Sequence, residues 1–255
     1  MAEEQKQEFK FPTEVVDLPS GGKMYPEGHP LREGKVEVKY MTAKEEDILT
    51  SSNLIKKGIV IDKLLDSLMV SKDIKVEDLL VGDKNAIMIA ARILAYGPEY
   101  KCEISNPNDL SEKFEHTFDL SEVKFKECPT DVDYSSNSFE MELPLSKNKI
   151  TFKMLTGRDE TSITQQLKSL QKIGQSQEVT TRLKHLITSV NGSTDVATIN
   201  SFCENMLSKE SLFLRDEVNR INPDVELKQV VEIGGEPAEV DIPMTVAFFW
   251  PKSGT

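Results

Sequence analysis

The sequence predicts an α+β fold of two related modules, each a strand followed by helices and a β-hairpin. Strand-like and helix-like apolar patterns follow one another in the same order twice along the chain. A polar, turn-rich segment separates the two runs. The predicted division is a mobile N-terminal arm at residues 1–11, an α+β module at 12–128, a linker at 129–138 and a second α+β module at 139–255.

The composition favours a folded, acidic protein. Hydrophobic residues make up 38% of the 255 residues, with 11 Phe and 5 Tyr, which is more apolar content than a disordered polyelectrolyte carries. The formal net charge of −12 would repel a phosphate backbone, so we expect no nucleic-acid partner. The sequence has no run of 18 apolar residues and no apolar signal-peptide core, so we expect neither membrane insertion nor signal-directed export.

Two segments near the N-terminus are candidate partner-binding regions. Residues 1–10 are charged, and Phe9 and Phe11 are apolar side chains of a tail that would order on contact with a surface. The next segment, Leu18–Pro26, is dense in turn formers, and its paired glycines can take positive φ between two prolines. The candidate contacts of this loop are Gly21, Gly22, Lys23 and Tyr25.

The first module is predicted from a strand, several helices and a hairpin. Val36–Tyr40 alternates apolar and polar residues, and Thr42–Glu45 has the spacing of a capping box at the start of a helix. Gly97-Pro98 is a helix stop signal. Apolar residues recur at helical spacing over 61–69 and 87–94, and hairpin-like alternation occurs at 100–104 and 114–118.

The second module repeats this order. Ile150–Met154 is a strand pattern, and Thr156–Asp159 has capping-box spacing again. Helical patterns follow at 163–173, 183–190 and 199–207, and another runs toward Asn222-Pro223. The last predicted strands are Val225–Val231 and, after two glycines, Met244–Pro251. Either a duplicated module or chance reuse of common parts explains the repeated order.

The sequence offers no recognisable reaction or cofactor site. Gly21-Gly22-Lys23 departs from the phosphate-binding loop because Met follows the lysine, and Glu45–Asp47 fall in a predicted first helical turn, where acidic residues are favoured. Cys102, His116 and Cys128 are 14 and 12 residues apart, unlike the close ligand pairs of structural zinc sites. We therefore expect no catalytic residue, metal, cofactor or small-molecule substrate.

The aromatic string near the C-terminus has two interpretations. As the last core strand, alternation would place Phe248 and Trp250 on one face and Phe249 on the other. As an exposed anchor, the string would bind a partner. Both roles can coexist, so all three residues are candidate contacts.

Five segments carry a family resemblance. In chain order they are Leu18–Pro26, Val36–Leu49, Leu79–Asp83, Ala91–Gly97 and Phe248–Pro251. Together they are similar to the baseplate hub and hub-assembly proteins of T-even-like contractile-tailed phages. The agreement is good over residues 12–105 and sparse afterwards. Relatives often place a cysteine pair in the hairpin after the Tyr-Gly element, whereas this chain has Cys102 alone there.

The resemblance implies a non-enzymatic protein of tail assembly, whose partners are other phage tail and baseplate hub proteins. Two roles stay open: a chaperone-like hub assembly factor, which we favour, or a structural hub subunit retained in the virion. The expected location is the host cytoplasm during assembly or, for the second role, the tail baseplate of the virion. A tail-associated hydrolase would need a catalytic constellation that is not found. A DNA-binding tail terminator conflicts with the acidic charge.

Overall fold

The computed structural model describes residues 11–107, 109–233 and 235–250. Within these ranges the fold is α+β, as predicted, with helices and small antiparallel sheets. Residues 1–10, which include most of the predicted arm and Phe9, lie outside the described residues. No helix in the described ranges is both long enough and apolar enough to cross a membrane.

The N-terminal half opens with two strands and closes with a β-hairpin. Its elements are β1 (Thr13–Asp17), β2 (Lys35–Lys39), α1 (Ala43–Thr50), α2 (Ser52–Lys57), α3 (Val60–Leu68), α4 (Val81–Tyr96), β3 (Glu99–Asn106) and β4 (Asp109–Asp119). The strand β1 pairs with β2, and β3 pairs with β4, both in antiparallel orientation. The helices connect the two strand pairs.

The C-terminal half has a similar order with one additional strand. Its elements are β5 (Phe139–Glu142), β6 (Lys149–Phe152), α5 (Gly157–Lys172), α6 (Glu178–Leu186), β7 (Ile187–Val190), α7 (Val196–Asn205), α8 (Ser208–Ile221), β8 (Lys228–Ile233) and β9 (Glu236–Asp241). The strand β6 has β5 on one side and β7 on the other, and β8 pairs with β9. A 3₁₀ turn at Val246–Phe249 follows.

Local sequence explains where several helices begin and end. Thr42 and Glu45 form the predicted capping box at the start of α1, and Thr156 and Asp159 form one at the start of α5. The helix α4 ends before Gly97, whose φ of 82° is a conformation that favours glycine. The boundaries predicted from caps and stop signals are therefore confirmed at these three positions.

A hydrophobic core runs through both halves. From α3 it takes Leu64, Leu65 and Leu68, whose helical spacing puts them on one face. From β6 it takes Ile150 and Phe152, which are alternate residues of one strand. Each such side chain stabilises the fold by about 1.5–3 kcal/mol when it is fully buried.

Two short backbone pairings join the halves. Phe125 forms an antiparallel bridge with Val225, and Leu80 forms one with Thr156. The residues on either side of these bridges come from loops and helix starts, where backbone groups are free of regular hydrogen bonds. The contacts between the halves therefore use main-chain as well as side-chain groups.

Each half begins with a strand that the sequence analysis did not identify. The strand β1 is exposed along most of its length, so its sequence lacks a clear apolar alternation. The strand β5 directly follows the polar segment at 129–138. Each half therefore opens with two strands, where one was predicted.

The helix predicted over residues 183–190 is wrong beyond Leu186. The helix α6 ends at Leu186, and Ile187 and Val190 lie in β7, opposite Phe152 and Ile150 of β6. Ile, Thr and Val are stiff β-branched residues that fit a pleated surface. The free edge of β6 therefore decides the conformation of a segment whose spacing also suits a helix.

The last predicted strand is wrong over the part that the structure describes, 244–250. Val246–Phe249 is a 3₁₀ turn, and the hairpin partner of β8 is β9. Only Val240 of β9 is buried, so its apolar signal is weak. Phe248 and Phe249 are both fully buried, which contradicts the prediction that they point to opposite faces of a strand.

Candidate interaction surface

A buried carboxylate holds the loop Leu18–Pro26 against α4. Asp83 accepts hydrogen bonds from the Ser20 N–H (2.9 Å), the Ser20 hydroxyl (2.7 Å) and the Tyr25 hydroxyl (2.7 Å). The Tyr25 hydroxyl also accepts one from the Leu80 N–H at 2.9 Å. We call Ser20, Tyr25 and Asp83 the Asp83 cluster. Since its buried polar groups bond one another, the cluster fixes the conformation of the loop.

Burial dominates the electrostatics of the Asp83 cluster. Burial raises the pKa of the Asp83 carboxyl, although the hydrogen bonds from Tyr25 and Ser20 act in the opposite direction. Burial also raises the pKa of Tyr25, and the neighbouring Asp83 charge adds to this effect. The Tyr25 hydroxyl therefore keeps its proton and remains a hydrogen-bond donor at physiological pH.

The paired glycines allow the loop to turn tightly. Gly21 and Gly22 have φ angles of 57° and 74°, as their place in the predicted turn requires. A Cβ on Gly22 would lie 2.5 Å from the carbonyl oxygen of Arg32, which is closer than real atoms approach. The Arg32 guanidinium donates to the carbonyl of Tyr25 at 2.8 Å and also to that of Lys23. Hydrogen bonds to Asp83 and from Arg32 therefore hold the loop on two sides.

Only part of this loop faces solvent. Gly21 and Lys23 are exposed, whereas Gly22 and Tyr25 are buried. The four candidate contacts thus divide into two that form the outer surface and two that hold it in shape.

Phe11 is the described end of the predicted arm. Its ring is 45% exposed, and the Lys39 ammonium lies 5.3 Å from the ring centre. A cation this close to an aromatic face is attracted by the ring quadrupole. Phe11 therefore lies against β2 and still offers much of its ring to solvent.

The C-terminal aromatic residues also divide into buried and exposed groups. Phe248 packs edge-on against Tyr100 with ring centroids 4.8 Å apart, and its carbonyl accepts a hydrogen bond from Arg92 Nε at 3.0 Å. Phe249 is buried as well, whereas Trp250 is 50% exposed. Within this string, Trp250 is the side chain that a partner can reach.

An exposed apolar surface at the start of α8 was not predicted from the sequence. Its members are Leu207, Leu212 and Phe213, which are 51%, 50% and 44% exposed. The buried face of α8 includes Leu214 and Ile221. Leu212 and Phe213 lie outside the helical spacing of that face, and this mismatch is the sequence signal that could have revealed them.

A groove of about 480 Å³ lies between α6 and α8. Leu155, Val179 and Leu212 contribute to its apolar lining. Its charged groups are of both signs, and among them Arg182 donates to Glu160 at 2.7 Å. The groove therefore presents little concentrated charge to a small ligand.

The residues considered for metal or acid–base chemistry include members of a β-hairpin and of a helix cap. Cys102 and His116 lie opposite each other in the predicted β3–β4 hairpin, and Cys128 lies outside it. Across the part of the chain that the structure describes, no three His, Cys, Asp or Glu side chains are grouped to hold a metal ion. Glu45 is buried and accepts hydrogen bonds from Thr42 in the α1 capping box.

A family model now connects this geometry with known proteins. The model, described as T4 bacteriophage base plate protein, matches residues 10–139, just over half of the chain. The chain belongs to this family. The match includes the loop Leu18–Pro26 and its partner Asp83, and it ends where β5 begins. The resemblance stated from the sequence is thereby confirmed.

The base plate family indicates a structural or assembly protein of the phage baseplate, with other baseplate proteins as partners and the tail baseplate as its location. Neither the curated proteins nor the solved structures include a match to this chain. Residues 140–255 lie beyond the family match. The Asp83 cluster is therefore inside the matched region, and the apolar surface on α8 is outside it.

Proposed function

We propose that this base plate protein is a hub assembly factor that acts by binding other tail proteins, in the manner of a chaperone. Its contact region is the exposed crest of the loop at Gly21 and Lys23, with Phe11 and Trp250 as further contacts. No chemical turnover is part of this role. The family match supports the baseplate setting, and the assembly role is our extension of it.

The observation that carries the proposal is the way the loop is held. The Asp83 cluster and Arg32 fix the backbone on both sides of Gly21 and Lys23. A projecting segment that is already ordered loses little conformational entropy when it docks. The crest at Gly21 and Lys23 is therefore presented to a partner in a fixed conformation.

A structural hub subunit retained in the virion is the second candidate. The description of the family names the base plate itself, and that favours a protein present in the finished structure. The same loop would then form a permanent contact. The two candidates differ in whether the protein dissociates before the particle is mature or stays in the finished baseplate.

Co-purification from infected cells tests both candidates. We expect a tagged full-length chain to bind tail proteins in early assembly complexes and to be missing from mature particles. Fixed copies in mature baseplates would instead support the structural subunit. Failure to associate with any tail component in either pool would overturn both.

A charge reversal at the loop crest sharpens this experiment. We expect Lys23→Glu to weaken capture of tail components about tenfold, equivalent to about 1.4 kcal/mol. Lys147→Glu is the matched control, because Lys147 is also an exposed lysine in the turn between the first two strands of its half. Equal losses for the two variants would contradict a specific role for the loop.

A further inference from the structure

The first long helix after the opening strands is capped by the same contacts in both halves. The Glu45 carboxylate accepts hydrogen bonds from the Thr42 N–H (2.9 Å) and hydroxyl (2.6 Å). The Asp159 carboxylate accepts the same two bonds from Thr156, at 3.0 and 2.9 Å. In each half, a lysine three residues before the threonine bonds this carboxylate at 2.8 Å; the two are Lys39 and Lys153.

A buried carboxylate also recurs as the third residue of α4 and of α8. Asp83 accepts a hydrogen bond from the Ser20 N–H at 2.9 Å, and Glu210 accepts one from the Leu145 N–H at 3.0 Å. Both carboxylates are buried. Each N–H group directly follows a Leu-Pro pair at the end of the first strand; the pairs are Leu18-Pro19 and Leu143-Pro144.

The backbone pairings recur as well. Met69, just after α3, bridges Val38 of β2, and Ile187, just after α6, pairs with Phe152 of β6. Each last hairpin is closed by a 2.9 Å bond, from Leu120 N–H to the Pro98 carbonyl and from Ile242 N–H to the Leu227 carbonyl. Chance reuse of common elements does not account for the same contacts between those elements in the same chain order.

The bridge between Leu80 and Thr156 is part of a longer backbone edge between the two halves. The Val81 N–H donates to the Leu155 carbonyl at 3.1 Å, and the Gly157 N–H donates to the Leu79 carbonyl at 2.9 Å. Leu80 lies between these bonds and is buried. The edge therefore pairs 79–81, before α4, with 155–157, before α5.

Each half also contains a segment that is equivalent to one side of this edge but has no partner segment within the described part of the chain. By the contacts above, 206–208 before α8 corresponds to 79–81, and 41–43 before α1 corresponds to 155–157. Among the described residues, neither Leu207 nor Thr42 forms a β-bridge. Leu80 is 4% exposed, whereas its counterpart Leu207 is 51% exposed.

We propose that the two halves are copies of one module, and that 206–208 of one chain pairs with 41–43 of a second copy in the geometry that joins the halves. The occupant of the exposed edge is thus another molecule of this protein. Such a contact uses two different surfaces, so it is heterologous and can extend to further copies. Self-association of this kind is separate from the proposed hub binding, and either can fail alone.

Charges at the edge support this pairing. Within the chain, Arg158 forms ion pairs with Glu77 at 2.9 Å and Asp78 at 2.6 Å. The corresponding residues at the exposed edge are Lys44 and Glu204, which again have opposite charges. Asn205 stands in the place of Asp78, and Glu204 already pairs with Lys184 at 2.6 Å, so the second edge repeats one of the two charge contacts of the first.

One substitution makes the contact between copies weaker than the contact within the chain. Gly157 is so close to its partner that a Cβ there would lie 2.9 Å from the Val76 carbonyl oxygen. Ala43 stands at the corresponding position of the exposed edge. Its methyl group must push the second copy away slightly, so the association is reversible and depends on concentration.

Sedimentation of the full chain over a range of concentrations tests the proposal. We expect wild-type protein to self-associate, Ala43→Gly to strengthen this about tenfold and Leu207→Asp to abolish it. Ile173→Asp, at another exposed apolar side chain, is the matched control and should behave as wild type. A monomer at all concentrations for both wild type and Ala43→Gly would overturn the proposal, as would equal effects of the two aspartate variants.

A crosslinking measurement serves if Leu207→Asp does not fold. Thr42→Cys and Leu207→Cys are made in separate chains, each also carrying Cys128→Ser to remove a partly exposed thiol. We expect oxidation of the mixture to give a mixed disulfide dimer in clear excess over dimers of either chain alone. The absence of that excess would count against the pairing of these two segments.

Discussion

The buried carboxylates Asp83 and Glu210, in the first turns of α4 and α8, occupy equivalent positions but hold different segments. Asp83 holds the long connection 18–34 through the side chains of Ser20 and Tyr25 as well as one N–H group. Glu210 holds the short connection 143–148 through the N–H groups of Ser146 and Leu145, at 2.6 and 3.0 Å, with the Ser146 side chain as a further partner. Equivalent carboxylates thus hold a long, shaped loop in the N-terminal half and a short turn in the C-terminal half.

The two carboxyl groups also differ in their electrostatics. Burial raises the pKa of Asp83, and its hydrogen bonds reduce this effect without reversing it. Burial acts in the same direction on Glu210, but hydrogen bonds from the N–H group and side chain of Ser146 and from the Leu145 N–H outweigh it and lower the pKa. Two adjacent residues of a short, exposed turn are thus sufficient to hold Glu210. The buried side chains of the N-terminal half therefore serve the larger loop, which is where we place the contact with tail proteins.

The largest loss of stability is expected where Phe248 of the C-terminal half packs against Tyr100 of the N-terminal half. Phe248→Ala removes a fully buried ring from its contact with Tyr100, and we expect a loss of about 3–5 kcal/mol in the free energy of unfolding. Phe125→Ala is the control, since Phe125 reaches the other half but is 45% exposed. Urea unfolding followed by the fluorescence of Trp250, the single tryptophan, measures both. Similar losses for the two variants would contradict the expectation that the buried Phe248 contributes more to stability than the exposed Phe125.

The second prediction separates the two carboxylates. Asp83→Ala leaves the buried hydroxyls of Ser20 and Tyr25 without their acceptor, so we expect a loss of about 3–4 kcal/mol. Glu210→Ala frees N–H groups of a turn in which Leu145 is 53% exposed, so water can replace the carboxylate, and we expect about 1 kcal/mol. Urea unfolding of the two variants decides. A loss for Glu210→Ala as large as that for Asp83→Ala would contradict the distinction.

The sequence predicted the capped helices well because their signals are local. Thr42–Glu45 and Thr156–Asp159 determine their own helix starts through contacts a few residues apart. The β3–β4 hairpin was also predicted correctly, since both of its strands alternate clearly and lie close in the chain. Such elements need little information from the rest of the fold.

The parts that were missed depend on distant partners. Ile187 became part of a strand because the edge of β6 was available, and Phe248 became buried because a site beside Tyr100 was available. The sequence identified Leu18–Pro26 as a turn-rich loop, which is confirmed, but could not tell Tyr25, which is buried, from Lys23, which is exposed. The partner of Tyr25 is Asp83, and no local pattern connects these two residues.

The third prediction compares the two capping carboxylates through their pH dependence. Burial alone would raise the pKa of Glu45, but hydrogen bonds from Lys39, Ser67 and Thr42 lower it from the usual 4.5 to about 2. Its contribution of about 3 kcal/mol is therefore present above about pH 4.5 and is lost as the pH falls toward 2.

Glu45→Gln should remove this acid-dependent loss, as measured by urea unfolding at about pH 5 and about pH 2.5. The pKa of Asp159 is also lowered, by its bonds to Lys153 and Thr156 against the effect of burial, so Asp159→Asn should act in the same direction. An unchanged pH profile in either variant would show that its cap does not contribute as its counterpart does.

The smallest expected effect on stability separates the loop crest from an ordinary turn. Gly21 and Gly192 have positive φ angles of 57° and 81°, and a Cβ on either would meet nothing within 4 Å. Alanine at each position should therefore cost about 1 kcal/mol, from the backbone conformation alone. Only Gly21 belongs to the proposed contact loop, so only Gly21→Ala should weaken the capture of tail components. Thermal unfolding and co-purification of the two variants measure these effects separately. If Gly192→Ala impaired capture as much as Gly21→Ala, the loss would follow from stability, and the loop would have no special part in binding.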